Sequence, residues 1–279
     1  MVSQALLKSR AVRVCKRARL QYRDLLLRMN GSYQAKQSVS FCTPVKNRLA
    51  HLQKTVLANL EDNQHYPGLE IVILNYACPD PETERWVKSH LLGFIEAGRV
   101  NYYHYPDTDT FDYSHAKNLA HRLAVGDIVC NVDADNYTGA GFAEFCSAQL
   151  ADRHSFLTGP RDGRGLGGRI ALRREHFLQA GGYDERIVDW GGCDFELSLR
   201  LEKLALKNRP IFKDKFLQAI AHSDELRTHY SEFDDKWTTH EINESILKDN
   251  QTRQVQNPNG SNFGRGRVQK NFGQWISVV

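Results

Sequence analysis

The chain has 279 residues, of which 41% are apolar and 25% are charged, with 37 basic groups against 33 acidic ones. That arithmetic describes one large globular domain or two small ones with ample core, and it excludes collagen-like, low-complexity and wholly disordered chains. The net charge of +4 is unevenly spread: residues 1–30 hold eight basic groups and one acid, a net of +7, while the other 249 residues net −3, so no nucleic-acid partner is expected.

In chain order, residues 1–37 come first, as a basic amphipathic segment. Leu7, Ala11, Val14, Ala18, Tyr22, Leu25 and Met29 recur at spacings of three and four, which lines one face of a helix over about residues 5–29. Asn30-Gly31-Ser32 then stops it. Two readings stay open: the stripe packs on the body, or the helix rests on an anionic membrane surface. The longest apolar run here, Leu25-Leu26-Leu27, is too short for a signal peptide, and nothing in the chain approaches the roughly 18 apolar residues of a spanning helix. Cys15, Cys42, Cys78, Cys130, Cys146 and Cys193 form no Cys-x-x-Cys pair and read as reduced thiols. A cytoplasmic protein is expected, peripheral on the inner face of a membrane if the helix is interfacial.

From Ser38 onward strands and helices alternate. Strands are expected at Val39–Thr43, Glu70–Leu74, Val100–Tyr105 and Asp127–Val132, with helices at about 48–60, 82–97, His115–Val125 and 140–150. This order predicts an α/β layer with a mostly parallel sheet, whose ligands collect at the carboxyl ends of the strands. Thr43, Asn75 and Asp133–Asp135 would then share one rim. Farther on, Pro160–Gly168 reads as a glycine-rich loop, Arg169–Leu172 as a strand and Arg174–Ala180 as a helix. Cys193–Leu206 is an amphipathic helix, and strands follow near 210–213 and 216–221. Beyond Asp249 the chain is rich in Asn, Gln and Gly and reads as a mobile or wrapping tail anchored by Phe263, Phe272 and Trp275.

The sharpest chemical feature is Asp133-Ala134-Asp135, directly after the apolar run Ile128–Val132. Two carboxylates one residue apart at a strand end can share a divalent cation with a diphosphate. With nineteen Asp in the chain an Asp-x-Asp arises by chance about once, and Asp107-Thr108-Asp109 is such a decoy. Only the pair at 133 and 135 closes a buried strand, where a carboxylate is costly without a partner. A second feature is Asp189-Trp190-Gly191-Gly192-Cys193-Asp194. Its glycines let backbone approach a ligand, Asp194 falls at a helix start, and an indole face beside a carboxylate suits a sugar. Helix capping is the plain alternative for both acidic features.

Together these residues resemble a glycosyltransferase of the GT-A fold, family 2 type. The thread runs from Phe41-Cys42-Thr43-Pro44-Val45-Lys46-Asn47-Arg48 through Ala116-Lys117-Asn118 and Asp133-Ala134-Asp135. It continues in Gly181-Gly182-Tyr183-Asp184-Glu185 and closes in the run from Cys193 to Leu201, so it covers about residues 38–225. The segment Gly168–Leu201 also resembles the C-terminal half of the β-1,4-galactosyltransferases, which share a Trp-Gly-Gly-acid-Asp block.

The resemblance implies a metal-dependent inverting transfer of a sugar (Gal, GalNAc, Glc or GlcNAc type) from a UDP-sugar to a hydroxyl of a glycan or lipid-linked glycan. By resemblance, Asp135 ligates Mn2+ or Mg2+, Asp133 binds ribose and shares the metal, and His222 completes the metal shell. Thr43, Pro44, Lys46 and Arg48 line the nucleotide pocket, with Asn75 at the uracil edge and Lys117 and Asn118 on the next helix. Asp194 is the general base, and Trp190, Gly191 and Gly192 bind substrate as part of a sugar site. Residues 38–136 would be the nucleotide-sugar half and 137–249 the acceptor half of one catalytic domain, with 250–279 a polar tail. The loop Asp162–Gly168 would be a lid.

This chain departs from the galactosyltransferases at two places. Cys193 stands where they carry Glu, leaving Glu196 or Asp189 to hold the acceptor. Ala219 stands where they carry the methionine three residues before the metal histidine. Other readings are a non-catalytic sugar-nucleotide or glycan binder on this fold and a retaining transferase; a nucleotidyltransferase would want a glycine-rich loop after the first strand, and residues 43–48 hold no glycine.

Overall fold

The computed structural model of the protein describes residues 37–189, 191–221 and 236–279. The segment 1–36, with its expected helix and Cys15, lies outside the described residues, as do Trp190 and His222. Four parallel strands form the middle of the molecule: β1 (Val39–Val45), β2 (Leu69–Tyr76), β3 (Val100–Tyr105) and β4 (Ile128–Asn131), in the order β3-β2-β1-β4. β1 and β2 are buried along their whole length, because helices cover both faces. The pleat sends alternate residues to opposite cores. Leu69, Ile71 and Ile73 of β2 enter one core with Leu52, Val56 and Leu60 of α1 (Leu49–Asp62). Val72, Leu74 and Tyr76 enter the other, with Ala116, Leu119 and Leu123 of α4 (Tyr113–Leu123). Burying each such aliphatic side chain contributes about 1.5–3 kcal/mol.

The α/β expectation holds, with a mixed sheet whose central strands are parallel. β7 (Ile170–Arg173) adds antiparallel to β4, then β6 (Ser155–Thr158) antiparallel to β7, and β8 (Lys207–Pro210) parallel to β6. A small separate ribbon pairs β5 (Asn136–Tyr137) with β9 (Gln218–Ala219). The single helix expected over 82–97 is two, α2 (Glu82–His90) and α3 (Leu92–Glu96), because Leu91 turns into the core between them. α4 starts two residues earlier than expected because the Asp112 carboxylate caps it, accepting from the His115 N–H at 2.8 Å. α5 (Phe142–Gln149), α6 (Arg174–Gln179) and α7 (Cys193–Lys203) follow the sequence reading closely.

The C-terminal part differs most from expectation. α8 (Lys236–Thr252) is followed by a hairpin, β10 (Gly266–Lys270) and β11 (Trp275–Val278). β10 lies antiparallel to β3, so the tail wraps back to the far edge of the sheet. Phe263 is buried and Phe272 stacks on Tyr102, while Trp275 stays on the surface. Cys42, Cys78, Cys130, Cys146 and Cys193 are free thiols. Among the described residues no helix is long and apolar enough to cross a membrane.

Candidate active site

A cleft of about 500 Å³ opens at the carboxyl ends of the central strands. Asp133-Ala134-Asp135 forms its floor, directly after β4. Its backbone is held by α1, where Thr55, Asn59 and Asn63 recur every four residues on a buried polar face. Thr55 Oγ1 donates to the Ala134 carbonyl at 2.7 Å, Asn59 Nδ2 to the Asn136 carbonyl at 3.1 Å, and Asn63 Oδ1 accepts from the Ala143 N–H at 2.9 Å. The carboxylates are oriented by neighbours. Asn131 Nδ2 donates to Asp133 Oδ1 at 2.8 Å and to the Gly168 carbonyl at 3.0 Å. Asn136 Nδ2 donates to Asp135 Oδ1 at 2.7 Å. From beneath, the fully buried Arg169 donates to Asn136 Oδ1 and the Tyr137 and Phe216 carbonyls. The Ile220 N–H reaches the Asp135 carbonyl at 2.8 Å, which brings the end of β9 beside the acidic pair.

Asp194 faces this floor from the first turn of α7, where the helix dipole favours a carboxylate. Gly191 and Gly192 precede it at φ 113° and 91°, a backbone that side-chain-bearing residues rarely adopt. Lys117 of α4 donates its Nζ to Asp194 Oδ1 at 2.7 Å. Burial works against the Lys117 charge, but the carboxylates of Asp194 and Asp133 overrule it and hold the ammonium well above its usual pKa. Burial, aided by Asp194, pushes the neighbouring Cys193 thiol up to about 12, so it stays neutral. These groups converge on Gly168. A Cβ there would lie 3.0 Å from Asp133 Oδ2, 3.2 Å from Asp194 Oδ2 and 3.4 Å from Lys117 Nζ. One methyl group would therefore touch the acidic floor, the opposed carboxylate and the buried cation together.

Pro44, Arg48, Lys117, Asp133, Asp135, Gly191, Gly192 and Asp194 line this one cleft. Lys46 lines a second cleft of about 250 Å³ with Cys78, His104 and Asp109, and donates to the Ala77 and Thr108 carbonyls. Thr43 and Asn75 are buried in their strands. The Asn75 amide donates to the Tyr102 hydroxyl at 2.8 Å and accepts from the Cys78 N–H at 2.9 Å, which leaves little of it for a uracil edge. Asn118 also lies outside the cleft. It is fully buried and fastens the Gly-Gly-Tyr-Asp turn, accepting from the Tyr183 N–H and donating to the Tyr183 carbonyl and Glu185. Glu196 is not an acceptor contact either, because it is buried in a bidentate pair with Arg200. Asp189 is likewise buried.

Several residues of the site escape hydrophobic patterning. Gly168 and Asn131 are unremarkable in sequence, and Arg161 and Phe195 complete the rim. Asn243 of α8 donates to the Val188 and Gly191 carbonyls and accepts from the Val188 N–H, clamping the loop before Asp194. Asn250 joins Asp184 to Glu196. The recurrence of Thr and Asn at spacings of four in α1, and of four and seven in α8, is the signal that could have found these clamps.

The chain is similar to known proteins in part of its sequence and in its fold. A family model described as the N-terminal domain of galactosyltransferase matches residues 157–222, the stretch from β6 through α7 and β9. Among solved structures, a mannosyltransferase from Pyrobaculum calidifontis in complex with GDP-Man and Mn2+ superposes with a TM-score of 0.51 at 20% identity, over 64% of this chain and 55% of that one. Residues 1–349 of S. aureus TarS with UDP give a TM-score of 0.55 at 14% identity, over 77% of this chain and 72% of that one. GalNAc-T7 with UDP, GalNAc and Mn2+ gives 0.54 at 16% identity, over 63% of this chain and 42% of that one. The chain thus spans about half the length of the first of these and less of the last. No curated protein sequence matches it. The fold is the GT-A fold, and the family model together with these neighbours supports a glycosyltransferase.

Proposed function

We propose that the protein is a divalent-metal-dependent, inverting glycosyltransferase that moves a hexose from a UDP-sugar to a hydroxyl of a glycan or glycolipid. The observation that carries this reading is the convergence of Asp133, Asp194 and Lys117 around Gly168 in the wall of one cleft. Donor and acceptor would meet there, with one carboxylate on each side. Asp133 and Asp135 are hard oxygen donors and fit Mn2+ or Mg2+. Among the described residues no third His, Cys, Asp or Glu joins them, and His222 is proposed as that ligand. When bound, such a cation offsets the charge that builds on the leaving diphosphate.

The chain's own part is orientation and proton transfer. Lys117 holds Asp194 Oδ1, so Oδ2 is the oxygen aimed over Gly168. Asp194 takes the acceptor hydroxyl's proton there as that oxygen bonds to the anomeric carbon from the face opposite the diphosphate. The bond from that carbon to the diphosphate breaks, the electron pair leaves with UDP, and the anomeric configuration inverts. Pro44 near the end of β1, Arg48 at the start of α1 and Lys46 in the second cleft are proposed to hold the nucleotide. The loop 162–168 supplies Gly163, Gly165, Gly167 and Gly168 to the cleft wall, which supports its proposed role as a lid.

The test is turnover of UDP-Gal, UDP-GalNAc, UDP-Glc and UDP-GlcNAc with Mn2+. EDTA is expected to stop it and added Mn2+ to restore it; turnover indifferent to chelation would remove the metal role of Asp133 and Asp135. For the basic N-terminal segment we propose docking on an anionic membrane near a lipid-linked acceptor. Deleting residues 1–30 should lower binding to anionic vesicles and spare turnover of a soluble acceptor. Unfolding of the truncated chain would instead make the stripe part of the core.

A further inference from the structure

Outside the proposed donor contacts, the cleft has a second built feature at its rim. Phe195 follows Asp194 in the first turn of α7, lines the cleft and leaves 43% of its surface exposed. Arg161, from the loop after β6, lays its guanidinium over that ring at 4.8 Å from the centroid. Its Nη2 donates to the Asp194 carbonyl at 3.1 Å and to Ser198 Oγ at 2.9 Å. The guanidinium is thus fixed by one nitrogen and one face. Among the described residues its Nη1 and Nε have no hydrogen-bond partner, and no carboxylate stands within ion-pair distance. A planar cation held in this way keeps the N–H groups of Nη1 and Nε to offer singly to an anionic oxygen, as on a carboxylate or phosphate.

Charge sets the ligand class. The cleft holds Asp133, Asp135 and Asp194, which repel an anion, and Lys117 is already committed to Asp194. An anionic acceptor would be turned away unless a cation met it at its own end of the cleft. Arg161 is tied to α7 and not to the Asp133–Asp135 turn, so it stands on the side of the base. The exposed Phe195 ring beside it offers an apolar face of the kind that packs on a pyranose.

We propose that Arg161 and Phe195 form a subsite for an anionic acceptor, a sugar or polyol that carries a carboxylate or phosphate close to the hydroxyl that Asp194 deprotonates. The proposal deepens the transferase reading and rests on it for the role of Asp194.

Glucose, glucuronate and glucose 6-phosphate share one ring and differ at one carbon. Their binding to the full chain, with UDP and Mn2+ present, is to be followed by ligand-observed NMR. Both anions are expected to bind at least about tenfold more tightly than glucose, as one charge-assisted hydrogen bond requires. Arg161→Gln should bring them to the level of glucose while UDP affinity stays unchanged. Arg161→Lys should keep part of the preference, and Phe195→Leu should weaken all three sugars alike; these two variants decide the matter if Arg161→Gln does not fold. Equal affinity for the three sugars overturns the proposal. So does an anion preference that is seen only when UDP is left out, or a fall in UDP affinity in Arg161→Gln, since either assigns Arg161 to the donor. An anion preference in a chain that binds no UDP would keep the subsite and sink the transferase reading. UDP-sugar turnover without any preference among the sugars would do the reverse.

Discussion

Replacing Asp194 by Asn separates chemistry from stability, because the same carboxylate is both proposed base and partner of a buried ammonium. Lys117 has 5% of its side chain exposed and Asp194 has 24%, at 2.7 Å separation. Removing one partner of a fully buried pair costs about 3–5 kcal/mol. Asp194 is a quarter exposed and Asp133 remains near Lys117, so the expected cost here is smaller, about 1–3 kcal/mol. For a domain of this size that lowers Tm by roughly 3–10 °C. Adding Lys117→Met removes the stranded cation, so the double variant should regain most of that stability. Transfer should be lost in both, while UDP still binds. Thermal denaturation, nucleotide titration and turnover on the wild type and the variants read the three quantities apart. A double variant that transfers sugar at the wild-type rate would refute the base, and an Asp194→Asn chain with unchanged Tm would refute the buried pair.

Gly168→Ala should leave Tm within about 2 °C, since the crowded neighbours are side-chain ends that can give by tenths of an ångström. Its turnover should still fall at least about tenfold, because the methyl occupies the space where the reacting groups must meet; unchanged turnover would empty that space of meaning. The fully buried His121 supplies a pH prediction. Burial pushes its pKa down to about 3, so the fold favours the neutral ring. Its contribution is therefore complete above its unfolded pKa of about 6.5 and is lost as pH falls from there toward 3. Between pH 7 and 5 the loss should be about 2 kcal/mol. His121→Gln, whose amide can still donate to the Lys117 carbonyl, should flatten that slope in urea titrations at the two pH values. An equal slope in wild type and variant would place the acid sensitivity elsewhere.

The parts of the fold that were legible are those where burial alone decides the pattern. β1 and β2 are covered on both faces, so they read as continuous apolar runs between turn residues. α1, α4 and α7 show their apolar stripes because each packs one face on the sheet. β10 escaped notice because Val268 is its one core contact, and its place is set by pairing with β3, which no local pattern encodes. α8 was hidden for a different reason. Its described buried side chains are Thr239, Asn243 and Asn250, and among the described residues of the helix only Ile246 and Leu247 pack on the core beside them, so the docking face is mixed and hydrophobic periodicity passes over it.

The same physics divides the site. Asp133, Asp135 and Asp194 announce themselves, because a carboxylate beside an apolar strand or a Gly-Gly turn is out of place unless something uses it. The residues that aim them do not, since Asn and Thr are common surface residues and only their spacing of four in α1 sets them apart. Asn118 shows the converse error: motif resemblance offered it to the nucleotide, yet both ends of its amide are consumed by the turn at Tyr183. Lys117, one residue earlier on the same helix, faces the cleft because successive helical residues point about 100° apart. A motif thus names a neighbourhood, and which of its members touches a ligand follows from the hydrogen bonds each has left to give. By that measure Asp194 Oδ2 and the Nη1 and Nε groups of Arg161 stand out together, one suited to take a proton and the others to hold an anion beside it.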